Sequence, residues 1–166
     1  PYGGCWAIAP ARAVLRRNLQ METVRVYEIP RCKMVSSPCM VLEGADMDAF
    51  SNWMETLPRP MFPQDFLWFD EERGGFVWYL MYHDGLVVPE AYELVDFPGG
   101  LYAVACGVDG ESNEEAMDAI RQFLREKSSF VEDPTRKQLG NVITPPAAEK
   151  ALGYLQMDYY VPIKAL

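Results

Sequence analysis

The chain reads as an α+β protein in which helices pack on a largely antiparallel sheet. Two observations carry that reading. A strand, strand, helix, strand order occurs once in the first half and again in the second, and no strand–helix–strand alternation of the parallel type interrupts it. The composition, 49% hydrophobic and 13% aromatic over 166 residues, supplies enough apolar surface for one substantial core and excludes intrinsic disorder.

In the first half, Thr23 to Ile29 sets Val24, Val26 and Tyr27 among polar residues in the alternation of a strand, and Pro30 interrupts it. A second strand is expected around Cys39 to Glu43. Asp46 is placed to cap a helix whose apolar face is Met47, Phe50, Met54 and Leu57, ending before Pro58 and Pro60. Phe66 to Phe69 and Phe76 to Tyr82 flank the polar, glycine-ending Asp70–Gly75 segment, which reads as the connection of an antiparallel hairpin.

In the second half, Tyr92 to Phe97 and Leu101 to Val108 read as strands around Pro98-Gly99-Gly100, a turn rather than a phosphate loop, because it precedes a strand and lacks the Lys or Ser of such loops. Ser112 and Glu115 have capping-box spacing before a helix from Asn113 to about Lys127, with Ala116, Met117, Ile120, Phe123 and Leu124 on its apolar face. Ser128 to Lys150, broken by Pro134, Gly140, Pro145 and Pro146, is expected to be a long ordered loop, followed by a closing strand.

Charge narrows the partners. With 24 acidic and 15 basic residues the net charge is −9, and the basic residues form no stripe interleaved with aromatics, so direct nucleic-acid binding by this chain is not expected. Cys5, Cys32, Cys39 and Cys106 contain no C-x-x-C pair and have no nearby His, which reads as buried free thiols in a reducing cytoplasm, with no metal site or disulfide framework. No apolar run is long enough to cross a bilayer, and no cofactor motif is present. Residues 1–20 are expected to be an extension or linker, with Ala11–Gln20 helical and Met21 an alternative start, and residues 21–166 the domain proper. His83, the one histidine, lies in Tyr82-His83-Asp84-Gly85 and reads as a turn residue.

Three segments, Val26-Tyr27-Glu28-Ile29-Pro30, Pro98-Gly99-Gly100-Leu101-Tyr102-Ala103-Val104 and Val161-Pro162-Ile163-Lys164, taken in order, resemble the GyrI-like effector-binding domains attached to AraC-type and MerR-type bacterial regulators. The resemblance runs from about Val24 to Lys164. It implies two pseudo-symmetric halves with a ligand cleft between them, and a hydrophobic or cationic small molecule as partner. The chain would serve as a stand-alone receptor or as the ligand-sensing part of a regulator whose DNA-binding domain lies outside it. SOUL-type haem proteins share the architecture and would make His83 a haem ligand, a reading less favoured than the turn.

Relatives that sense lipophilic cations place a buried acid among aromatic rings. The rings offered here are Trp53, Trp68, Trp78, Tyr79, Tyr82, Tyr92, Tyr102, Tyr159 and Tyr160, more than one cleft can use. Strand alternation sets Trp78, Leu80 and Tyr82 against Val77, Tyr79 and Met81 without saying which row faces the cleft, and sets Asp158 and Tyr160 against Tyr159 and Val161. Glu93 is the first candidate acid, since a carboxylate in an apolar strand must be solvated, paired or held for use. Glu149 is second, with a helix-surface charge as its simpler explanation, and Asp158 is third, with a cross-strand ion pair as its own. A different reading makes the chain a hydrolase of reactive compounds, with Glu93 as general base and Tyr102 or Tyr160 positioning water or substrate.

Overall fold

Two proline turns decide the shape of the sheet. The structure is a computed structural model and describes residues 23–58 and 64–166, so the expected helix at Ala11–Gln20 lies outside the described residues. The chain runs through β1 (Arg25–Ile29), β2 (Cys32–Ser36), α1 (Ala45–Glu55), β3 (Asp65–Asp70), β4 (Gly75–Met81), β5 (Glu93–Phe97), β6 (Gly100–Val108), α2 (Glu114–Glu126), β7 (Phe130–Glu132), β8 (Leu139–Val142), α3 (Pro146–Leu152) and β9 (Gln156–Ala165). The strands form one antiparallel sheet in the order β1-β6-β9-β8-β3-β4-β2-β5, with β7 pairing farther along β9.

That order reads the same from either end if β1 exchanges with β5, β2 with β6, β4 with β9 and β3 with β8. The two halves are therefore pseudo-symmetric about the β3–β8 joint, where Leu67 pairs with Gly140. Each half sends its first strand to the far edge of the other. Ile29-Pro30-Arg31-Cys32 joins β1 to β2, and Phe97-Pro98-Gly99-Gly100 joins β5 to β6, each across six positions of the strand order. In a flat sheet six strand spacings are about 29 Å, whereas three peptide steps reach at most about 11 Å. The sheet must therefore curl until its edges meet. The two crossovers touch where they pass: Gly99 has φ +68, and a Cβ there would lie 2.5 Å from the Arg31 backbone nitrogen.

Curling gives the sheet unlike faces. On the concave face Ile29, Met34, Phe66, Trp68, Val77, Phe97, Tyr102, Val104, Leu139 and Tyr160 form one cluster that draws on eight strands, and none of the described helices contributes to it. On the convex face Ala116, Ile120 and Phe123 of α2 pack against Ala103, Ala105, Val161 and Ile163. The small side chains of β6 let the helix approach, and burying Ile120 and Phe123 contributes roughly 1.5–3 kcal/mol each. α1 covers the other half of this face through Phe50, which is fully buried and lies 5.8 Å from the Trp78 ring and 4.8 Å from the Tyr92 ring.

The fold class and the two-half plan hold, while several local expectations are corrected. The second strand is Cys32–Ser36, not Cys39–Glu43; Val41 and Leu42 are exposed, and Glu43 takes φ +59 at the turn into α1. Asp46 lies inside the first turn of α1, and Gly44 occupies the cap. No capping box forms at α2, where Asn113 is the cap residue and the Ser112 hydroxyl accepts a hydrogen bond from the Glu114 N–H. Residues 128–150 are not one loop: β7, β8 and the start of α3 lie within them, the two strands too short to leave a period in the sequence. Of the thiols, Cys32 and Cys39 are half-buried and free, but Cys106 is exposed.

Candidate functional site: the aromatic concave face

Register places the functional side chains. Residues directly opposite one another on paired strands project to the same face. One row across the first half is Glu93, Ser36, Tyr79 and Phe66; its symmetry counterpart in the second half is Arg25, Val104, Tyr160 and Leu139. A further row sets Tyr27 opposite Tyr102 and Tyr102 opposite Pro162. The rings then meet across strands: Tyr160 lies 5.5 Å from Phe66, 6.2 Å from Tyr102 and 6.4 Å from Tyr27, and Tyr79 lies 5.9 Å from Trp68 and 6.3 Å from Phe97. These separations suit edge-to-face and tilted contacts.

Two buried polar atoms in this cluster, Trp68 Nε1 and the Tyr102 hydroxyl, have no hydrogen-bond partner. The Trp68 indole interacts with the Tyr79 hydroxyl and the Arg136 guanidinium with the Tyr102 hydroxyl, each contact drawing the phenol's pKa down against the effect of burial, yet neither closes to full hydrogen-bond geometry. Burial pushes the Tyr79, Tyr102 and Tyr160 hydroxyls above the ordinary phenol range, so all three remain protonated at physiological pH.

The cations on this face are the chain's own. Arg25 lies 5.3 Å over the Tyr27 ring, Arg136 4.8 Å over Tyr102, and Lys137 4.5 Å over Trp68. Arg136 and Lys137 come from the β7–β8 connection, which enters at the Asp133 N–H bonded to the Pro162 carbonyl. Arg136 donates through Nη1 to the Gly99 carbonyl and through Nη2 to the Leu101 and Ile163 carbonyls, and its Nε bonds Asp133 at 3.0 Å. It fills the space left by the missing side chain of Gly100.

Asp133 is held at about 2 by hydrogen bonds from Thr135 and then Arg136, below its ordinary 3.8. A carboxyl with a depressed folded pKa contributes stability above its unfolded value and loses it as the pH falls through the folded one. The stability gap between wild type and Asp133→Asn is accordingly expected to be constant from pH 7 to 5 and to close between pH 4 and 2, as read by urea unfolding at each pH.

The expected acids are placed as follows. Asp158 is buried and forms a 2.5 Å ion pair with Arg25 across β6, on the same face as Tyr160. Glu93 is exposed at the β5 edge of that face, in line with Ser36 and Tyr79; Tyr102 and Tyr160 belong to the other half. Glu149 is exposed on α3, beside a surface groove with Lys150 and Tyr154. Trp78 lies on the convex face against Phe50, and its Nε1 donates to Asp65 at 2.9 Å. Tyr82 is half-buried just beyond β4, and His83 is exposed with Nδ1 3.2 Å from the Asp84 carbonyl. The structure thus brings Tyr79, Tyr102, Asp158 and Tyr160 onto one face, with Glu93 at its rim.

Sequence reasoning placed Tyr27 and Phe66 on strands without counting them among the site's rings, and it missed Arg136, Lys137 and Asp65, the last a carboxyl that burial pushes up despite hydrogen bonds from Trp78 and Asn141. Tyr27 had a legible signal, its alternation with Ile29. Arg136 and Lys137 had none, since nothing in a short polar connection says which cations turn inward.

Among the described residues no group of three or more His, Cys, Asp or Glu is arranged to hold a metal ion, and no helix is long and apolar enough to cross a membrane.

No protein-family model and no curated protein sequence matches this chain. Solved structures do. The EcmrR C-terminal domain superposes with a TM-score of 0.57 at 12% identity, over 86% of this chain and 98% of that one. A hydrolase from Listeria innocua gives 0.60 at 11% identity, over 92% and 97%. SAV2435 bound to tetraphenylphosphonium gives 0.50 at 9% identity, over 85% and 93%. The fold is the one these proteins share, and it is the GyrI-like fold that the sequence resemblance implied.

Proposed function

We propose that the chain is a receptor for a hydrophobic small molecule, bound among the rings of the concave face. It works in the cytoplasm, alone or as the sensing part of a transcription regulator whose DNA-binding domain is carried on other sequence. One observation carries the reading: rings from both halves converge on a face that no described helix covers, and two fully buried polar atoms among them are unpaired. A buried donor without a partner costs about 1–3 kcal/mol, so each such group in a native protein calls for an explanation, and a ligand that pairs with it is one. A ligand touching both halves would also favour one setting of the β3–β8 joint over another, which is what a sensor requires. The shared fold with a tetraphenylphosphonium-bound protein and with a domain of a DNA-binding regulator supports the same use. A cationic ligand would compete with Arg25, Arg136 and Lys137 for the ring faces.

Tyr102→Phe separates stability from binding. It removes an unpaired buried hydroxyl, so the unliganded protein is expected to gain about 1 kcal/mol while losing affinity. The test is thermal unfolding with a panel of two- and three-ring aromatic compounds. Wild type should show a saturable rise in Tm with at least one class, and the rise should shrink in Tyr102→Phe and Trp68→Phe. An undiminished rise in both variants would move the site elsewhere.

A further inference from the structure

We propose that Lys137 and the Trp68 indole N–H, with the Tyr102 hydroxyl as a second donor, select the carboxylate or other anionic end of a ring-bearing hydrophobic ligand. The proposal rests on the reading that the concave face binds a small molecule, and it fixes the charge of what binds.

The unpaired hydrogen-bonding capacity inside the cluster includes two donors. Trp68 Nε1 can only donate. The Tyr102 hydroxyl, whose ring lies under the Arg136 guanidinium, can donate as well as accept. Carboxylates on this face are already engaged or remote: Asp158 is paired with Arg25, Asp133 with Arg136 and Thr135, Asp70 with Arg73, and Glu93 is exposed at the β5 edge. Lys137 is the contrasting group. Its ammonium lies over the Trp68 ring and has no ion-pair partner among the described residues, whereas Arg136 spends its donors on three carbonyls and Asp133.

An entering carboxylate would accept from Trp68 and Lys137 together, and charge-assisted hydrogen bonds of that kind are about twice as strong as neutral ones. An entering ammonium would have to displace Lys137 from the ring and would leave both donors unpaired. The overall charge of −9 opposes anions at long range, but that field is screened within about 10 Å at ordinary ionic strength. Contact chemistry inside the cluster decides.

The test uses three probes of one shape: naphthalene-2-carboxylate, naphthalene-2-carboxamide and 2-naphthylmethylammonium, titrated calorimetrically into wild type and Lys137→Gln. Lys137 is solvent-exposed, so the variant should fold, which its melting curve will show. Wild type is expected to bind the carboxylate about tenfold more tightly than the ammonium. Lys137→Gln should lose about fivefold or more for the carboxylate and stay within about twofold for the carboxamide. If the ammonium binds as tightly as the carboxylate, or if Lys137→Gln leaves the carboxylate-to-carboxamide ratio unchanged, the proposal falls while the receptor reading stands. If none of the three probes binds wild type, both fall.

Discussion

Gly99→Ala is expected to cost about 3 kcal/mol or more of folding stability, far above the ordinary effect of adding one methyl group. The residue sits at φ +68, where a side chain costs about 1–2 kcal/mol. The larger part is steric. The new Cβ would lie 2.5 Å from the Arg31 nitrogen, 2.6 Å from the Ile29 carbonyl oxygen and 2.7 Å from the Pro30 carbonyl carbon. All three are backbone atoms of the opposite crossover, which cannot yield without moving β1 and β2 apart. Gly74 supplies the control, because it has φ +66 but nothing within 4 Å of its would-be Cβ. Gly74→Ala should cost only the conformational part. Equal losses in the two variants, read by urea unfolding, would mean that the crossovers do not meet as described.

Arg136→Ala should be comparably severe, because one half-buried guanidinium holds an ion pair and three backbone carbonyls together. Its side chain is 11% exposed and Asp133 15%, so the loss strands a carboxylate and three carbonyl oxygens in a poorly solvated corner. Those carbonyls belong to Gly99, Leu101 and Ile163, which places the guanidinium at the junction of the second crossover, β6 and β9. Arg136→Lys should recover less than half of the loss, since an ammonium has one nitrogen where the fork uses three. Full rescue by lysine in equilibrium unfolding would show that charge alone matters and that the directed hydrogen bonds do not.

The parts of the fold legible in the sequence are those with a long period or a strong break. The apolar face of α2, the β3–β4 hairpin and the Pro98-Gly99-Gly100 turn each leave such a signal, and each is where it was expected. β7 and β8, with three and four residues, do not. The site was half legible for a different reason. Alternation separated Trp78 from Tyr79, but both rows of β4 carry aromatics, and only the docking of Phe50 on Trp78 decides that the Tyr79 row turns inward. For Asp158 the simpler explanation matches the geometry, a cross-strand ion pair, although the partner lies two strands away rather than directly opposite. Glu93 and Glu149 are both exposed, as a polar residue on an edge strand or a short surface helix tends to be. The positive residues of the face escaped because they arrive from a loop, where local pattern carries no information about direction.

That a hydrophobic molecule binds on the concave side of the sheet is tested most directly by asking which tryptophan reports it. Trp68 lies in the concave cluster, while Trp53 and Trp78 pack around Phe50 on the opposite face. Emission titrated with naphthalene-2-carboxamide should change saturably in wild type and in Trp53→Phe, and should lose that change in Trp68→Phe. A response that persists in Trp68→Phe and disappears in Trp53→Phe would put the ligand beside α1 and contradict the account.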